Sequence, residues 1–137
     1  MNFLGCPYPI LKTPRGLLAT QGGLNQIKSD LLVLLMTNPG ERVMLPEFGT
    51  PLRTLMFEPN DAVIIQQARQ IIIDSVSRWE PRITVSDISV SLLPSSQMVT
   101  GDDAESASHV LFVSISFYDP NLINQVQELK LQLPLGN

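Results

Sequence analysis

The apolar residues change period at Pro81, and that switch limits the fold more than any other feature of the chain. Before it, Ile64, Ile65, Ala68, Ile71, Ile72, Val76 and Trp79 recur at helical spacing, with Gln66, Gln70, Asp74 and Ser77 opposite. After it, Ile83 and Val85 alternate with polar residues, and Ile88, Val90 and Leu92 continue the alternation one residue out of phase. A β-bulge near Ser86-Asp87 restores their common facing. Leu111, Val113, Ile115 and Phe117 mark a second strand, and Leu129, Leu131 and Leu133 a third.

The pattern upstream is also helical. Leu24, Ile27, Leu31, Leu34 and Leu35 form a stripe over about 24–37, stopped by Asn38-Pro39-Gly40. Leu32, Val33 and Met36 lie off it, which leaves more apolar surface than one core face needs. Thr50-Pro51 opens a short helix carrying Leu52, Leu55 and Met56, with Thr50 as its cap and Pro59 as its end. The long helix is expected over about 60–79, with Val63 and Ile73 as exposed singles. Helices followed by sequential strands predict an α+β domain with helices packed on one face of a small antiparallel sheet. With 137 residues the chain reads as one domain, 1–137. Residues 1–23, with Pro7, Pro9 and Pro14, read as an irregular arm with a short strand at 17–19. Residues 94–108, rich in serine and acid, read as a mobile, solvent-facing loop.

The net charge is −4, and nine basic residues are scattered without a run, so no basic footprint for nucleic acid is visible. No stretch reaches the ~18 apolar residues of a membrane span, and the N-terminus lacks the layout of a secretion signal. Cys6 is the only cysteine, so no disulfide forms within the chain, which suits a reducing cytoplasm. His109 is the only histidine, and no carboxylate or cysteine adjoins it; no third orienting group marks a Cys6–His109 pair. Gly22-Gly23 and Gly101 lack phosphate-binding spacing. Glu41, Glu47, Glu58 and Glu80 could supply a carboxylate pair for glycoside hydrolysis, though each also sits where it serves a helix end or turn. No catalytic, cofactor-binding or metal-ligating set is assigned.

Three segments carry a resemblance: Thr37-Asn38-Pro39-Gly40-Glu41-Arg42-Val43; Pro46-Glu47-Phe48-Gly49-Thr50-Pro51-Leu52 leading to Leu55-Met56-Phe57-Glu58-Pro59; and Trp79-Glu80-Pro81-Arg82-Ile83. In order and spacing, over about Gly16 to Leu133, the chain resembles the baseplate wedge family of contractile phage tails, called protein W in some phages. That family also includes the baseplate subunit of type VI secretion systems. The resemblance implies a fold similar to the assembly domain of the sheath protein. It implies a non-enzymatic subunit, assembled in the host cytoplasm and then part of the tail baseplate, that starts sheath assembly. Its partners would be the larger wedge proteins and the tail sheath protein, with tail-tube or hub proteins as further candidates.

The sheet would accept sheath strands by β-augmentation, with Leu111, Val113, Ile115 and Phe117 on one candidate strand and Leu129, Leu131 and Leu133 on the other. Glu80-Pro81-Arg82 matches the family's signature tripeptide for attachment to the wedge core. Two readings of it stand side by side: Arg82 offers paired donors to a partner, or Glu80 and Arg82 fasten the helix–strand junction internally. On the first, Arg82→Ala folds normally and loses wedge binding. Arg42 is expected to brace its loop through a buried or half-buried carboxylate such as Glu47, and Phe48 and Phe57 to anchor the short helix. A secretion-system subunit remains an alternative, as does a lysozyme-like peptidoglycan-cleaving enzyme, since some family members carry that label.

Overall fold

In a computed structural model, residues 4–57, 62–94, 109–120 and 125–135 are described. Helix α1 spans Gly23–Met36 and α2 spans Ala62–Trp79. Between them Pro51–Phe57 forms a 3₁₀ segment. Strands β3 (Thr84–Pro94), β4 (His109–Tyr118) and β5 (Gln127–Leu135) make an antiparallel sheet in the order β3-β4-β5. Two short strands, β1 (Leu4–Gly5) and β2 (Gln21–Gly22), pair at the base of the N-terminal arm.

The alternation of β4 decides where the core lies. Leu111, Val113, Ile115 and Phe117 are fully buried beneath the helices, whereas Phe112, Ser114, Ser116 and Tyr118 take the other face and are half-buried. Ile27, Leu31, Leu34 and Leu35 of α1 join Ile64, Ala68, Ile72 and Val76 of α2 in the same core, so both helices cover one face of the sheet. The bulge expected near Ser86-Asp87 is present as a register shift between Val85 and Asp87, and it lets Ile83 and Ile88 both point inward. Val63 and Ile73 of α2 are exposed. The first two residues of the expected long helix, Asn60 and Asp61, lie outside the described residues, as does 95–108 of the acidic loop.

Two expectations change. Thr50 does not cap the 3₁₀ segment: its hydroxyl, fully buried, donates to the carbonyl of Leu34 at 3.1 Å, satisfying an acceptor near the C-terminal end of α1. The arm is also more ordered than a plain irregular segment. Instead of a strand over 17–19, a single bridge joins Lys12 to Leu18, and the arm's base is closed by β1 and β2.

The loop after α1 returns tightly onto the helix end. The Thr50 N–H donates to the Thr37 carbonyl at 2.8 Å and the Gly40 N–H to the Pro46 carbonyl at 2.7 Å. Gly49 has φ of 122°, and a Cβ there would stand 2.4 Å from the Thr37 carbonyl oxygen. Gly49→Ala therefore combines backbone strain with a clash against main chain that cannot swing away, and should cost about 1–3 kcal/mol. Urea unfolding of the two proteins checks this; an unchanged midpoint would show that the loop relaxes freely.

Candidate docking site at the helix–strand junction

Helix α2 does not end at Trp79 alone, because the Glu80 N–H still donates to the Val76 carbonyl at 2.8 Å. Pro81 then breaks the ladder and turns the chain into β3. This turn brings Arg82 back over Glu80. Its Nε and Nη2 donate to the two carboxylate oxygens of Glu80, each at 2.5 Å, and Nη2 also reaches Asp30 Oδ2 of α1 at 2.6 Å. Glu80 is only 5% exposed, so its charge depends on this bidentate clamp. The clamp raises the Arg82 pKa above its ordinary range: the hydrogen bond to Glu80 contributes most, burial opposes it, and Asp30 adds to it.

The network runs on into the N-terminal arm. Gln26, one turn before Asp30 on α1, donates through Nε2 to Asp30 Oδ1 at 2.7 Å and to the Cys6 carbonyl at 3.1 Å. Both partners are acceptors, which fixes the amide's orientation and leaves Gln26 Oε1 buried without a partner among the described residues. A Cβ at Gly5 would lie 2.5 Å from the Gln26 amide nitrogen, so a larger residue at this seat would displace the Gln26 side chain. The arm, α1 and the start of β3 are thus joined by one chain of polar contacts.

Around this network lies an open groove of about 420 Å³, whose lining combines polar Gln26, Asp30, Arg42, Glu80 and Arg82 with apolar Val33, Phe48 and Trp79. The three segments that carry the family resemblance converge here. Phe48 meets Trp79 edge-to-face with centroids 5.3 Å apart, and the Arg42 guanidinium sits 4.5 Å over the Phe48 ring. Val33, surplus to the core stripe of α1, is half-exposed on the groove wall. Arg42 does not brace its loop through Glu47, because Glu47 pairs with Arg78 of α2. The loop is held instead by Glu41, whose carboxylate accepts from the Asn38 N–H and side-chain amide, both at 2.9 Å. Three of the four carboxylates an enzymatic reading would use, Glu41, Glu47 and Glu80, are therefore engaged in structural contacts; Glu58 lies outside the described residues.

The internal pairing of Glu80 and Arg82 is present, and it leaves the partner reading open, since the paired groups also line the groove. Sequence reasoning missed Asp30 and Gln26. Their spacing of four on a helix is the only local signal, and nothing nearby announces a partner 52 residues away. The strand candidates also separate. Leu111, Val113, Ile115 and Phe117 belong to the central strand, whose backbone is paired on both sides, so β4 offers no edge for another chain. Leu129, Leu131 and Leu133 lie on β5, an outer strand; Leu129 and Leu131 face the core.

Arg82→Ala, expected from sequence to fold normally, should instead cost about 3 kcal/mol, because it strands the buried Glu80 charge; Arg82 and Asp30 keep enough water to hold the cost near the low end for such a pair. A Glu80→Gln, Arg82→Gln double variant should lose less than Arg82→Ala alone. Denaturant melts of both decide it, and an undisturbed Arg82→Ala midpoint would exclude the clamp as a structural element. The contacts from Asn38 to Glu41 lower the pKa of that carboxylate from 4.5, led by the backbone N–H, with Arg53 adding a smaller part. Since the folded pKa is the lower one, this contribution is present above pH 4.5 and is lost as pH falls through the folded value. An NMR titration of the Glu41 carboxyl should therefore show a midpoint below 4.5, which Asn38→Ala moves upward.

Comparison with known proteins places the chain in a family. Residues 21–117 match the family model described as baseplate wedge protein gp25. The baseplate wedge protein gp25 of Enterobacteria phage T4 is 30% identical over 115 residues, covering 84% of this chain and 78% of that protein. Two solved structures share the fold. One, from Geobacter sulfurreducens and described as a tail lysozyme, has a TM-score of 0.65 at 21% identity and covers 82% of this chain and 90% of its own. The other, in the baseplate of the anti-feeding prophage, has a TM-score of 0.63 at 19% identity and covers 99% of this chain and 88% of its own. On the family match over residues 21–117 and the identity to the phage T4 protein, the chain belongs to the gp25 family of baseplate wedge proteins.

Proposed function

We propose that this subunit docks on the wedge core of a contractile phage tail through the groove around Glu80, Pro81 and Arg82, and starts sheath assembly by accepting a sheath strand along β5. The observation that carries the reading is the sheet order, β3-β4-β5. It leaves two outer edges, and they are not equivalent. The β3 edge is interrupted by the bulge between Val85 and Asp87, which spoils the regular repeat a new strand would need. The β5 edge pairs with β4 without a shift from Gln127 to Leu135, so its outward backbone groups form an even ladder template.

The docking half follows from the clamp. Asp30 and Glu80 hold the Arg82 guanidinium in one orientation at the groove, so a partner meets a preorganised polar group in a lining that also holds Phe48 and Trp79. The structural role of Arg82 and its docking role are then the same role: the pair builds the surface that the partner reads.

The test uses the full chain with the sheath protein and wedge proteins encoded in the same tail gene cluster, followed by hydrogen exchange. Sheath binding should protect amides of Gln127–Leu135 and leave β3 unprotected, and deleting the sheath protein's terminal arm should abolish it. Arg82→Lys, which keeps the charge but loses the fork, should weaken wedge binding by about tenfold while sheath binding holds. Protection on β3, or none on either edge, would overturn the strand-acceptor assignment.

A further inference from the structure

The geometry points to the N-terminal arm as a third docking element: a short ribbon that inserts into an apolar cleft rimmed by carboxylates on a neighbouring baseplate subunit. The inference rests on baseplate membership and not on the two docking roles proposed above. The ribbon is internally braced. The Ala19 N–H donates to the Leu11 carbonyl at 2.9 Å, the Thr13 N–H to the Leu17 carbonyl at 2.7 Å, and the Gly16 N–H to the Thr13 carbonyl at 2.9 Å. The Thr13 hydroxyl adds contacts to the Leu17 main chain on both its carbonyl and its N–H, and Gly16 takes the positive φ of 77° that the tip requires. The base is seated by buried Pro7 and by the Gln26 contact to Cys6.

This braced ribbon carries its apolar residues in water. Ile10, Leu11, Leu17 and Leu18 are 68%, 55%, 67% and 60% exposed. Single exposed leucines are ordinary, but four on ten residues held by their own hydrogen bonds are a patch. Alternation about the Lys12–Leu18 bridge puts Ile10, Leu18 and the stem of Lys12 on one face and Leu11 and Leu17 on the other. A ribbon apolar on one face would lie on a flat surface; one apolar on both needs two walls. Charge specifies the rim. Lys12 and Arg15 are the arm's charges, no Asp or Glu occurs before Asp30, and yet the whole chain has a net charge of −4. A cleft with acidic edges complements that local excess.

The experiment pairs the isotope-labelled full chain with each purified baseplate subunit from the same gene cluster and applies a zero-length carbodiimide crosslinker. Lys12 should couple to Asp or Glu of one such subunit. Leu17→Ser and Leu18→Ser, one on each face, should each weaken that complex by about tenfold and leave the melting temperature unchanged. Raising salt should weaken it further. Arg82→Lys should not prevent the Lys12 crosslink, which separates this contact from wedge-core docking. Sensitivity to only one of the two serine variants would replace the cleft with a flat surface. Crosslinks between labelled and unlabelled copies of this chain would make a second copy the occupant, and no crosslink to any subunit would remove the proposal.

Discussion

The Arg82 guanidinium is the joint on which the rest of the structure depends. It touches both the helix–strand turn and α1, and it does so by sharing two carboxylates, Glu80 and Asp30. Burying Glu80 is costly on its own, and the cost is offset only if the guanidinium stays in a fixed plane. Pro81 makes that plane accessible by keeping α2 from continuing past Glu80, whose N–H makes the last helical bond. From there Gln26 extends the restraint to the arm, and the sheet leaves the junction with its bulge already placed. A purely apolar junction would hold the elements together as firmly, but it would not orient a charged surface at the groove.

The aromatic side of the same groove shows how the loop between the helices is recruited. Gly49 lets the chain pass close under the end of α1, Thr50 closes the last turn, and Phe48 is thereby set against Trp79. Arg42 and Arg78 then cover the two rings. Each contact is modest, yet all of them position residues that enter one cavity wall.

Much of this was legible from residue order alone, and the rest was not for identifiable reasons. The extents of α1, α2 and the three main strands follow from apolar period, and the bulge near Ser86 follows from a one-residue phase slip, because both are local properties. Strand order is not local. The alternation of Leu111 to Phe117 is the same whether β4 lies at the centre or the edge, so its central place appears only with the fold. The clamp was half legible: Glu80 and Arg82 adjoin the proline that brings them together, but Asp30 joins them through tertiary packing that no spacing rule records. Thr50 before Pro51 has the form of a cap, and lost that role because a buried carbonyl of Leu34 competed for its hydroxyl more effectively. The exposed leucines of the arm were visible as composition and silent as structure until the turn at Gly16 paired them.

The register of β3 with β4 has an engineering consequence. Pro94 and His109 are paired residues, so the connection between them begins and ends at one rung of the ladder. Closing a loop between two fixed neighbouring points costs little more as it lengthens, about 0.6 kcal/mol for each doubling. Peptide inserted in that connection would therefore draw on almost none of the stability of the core.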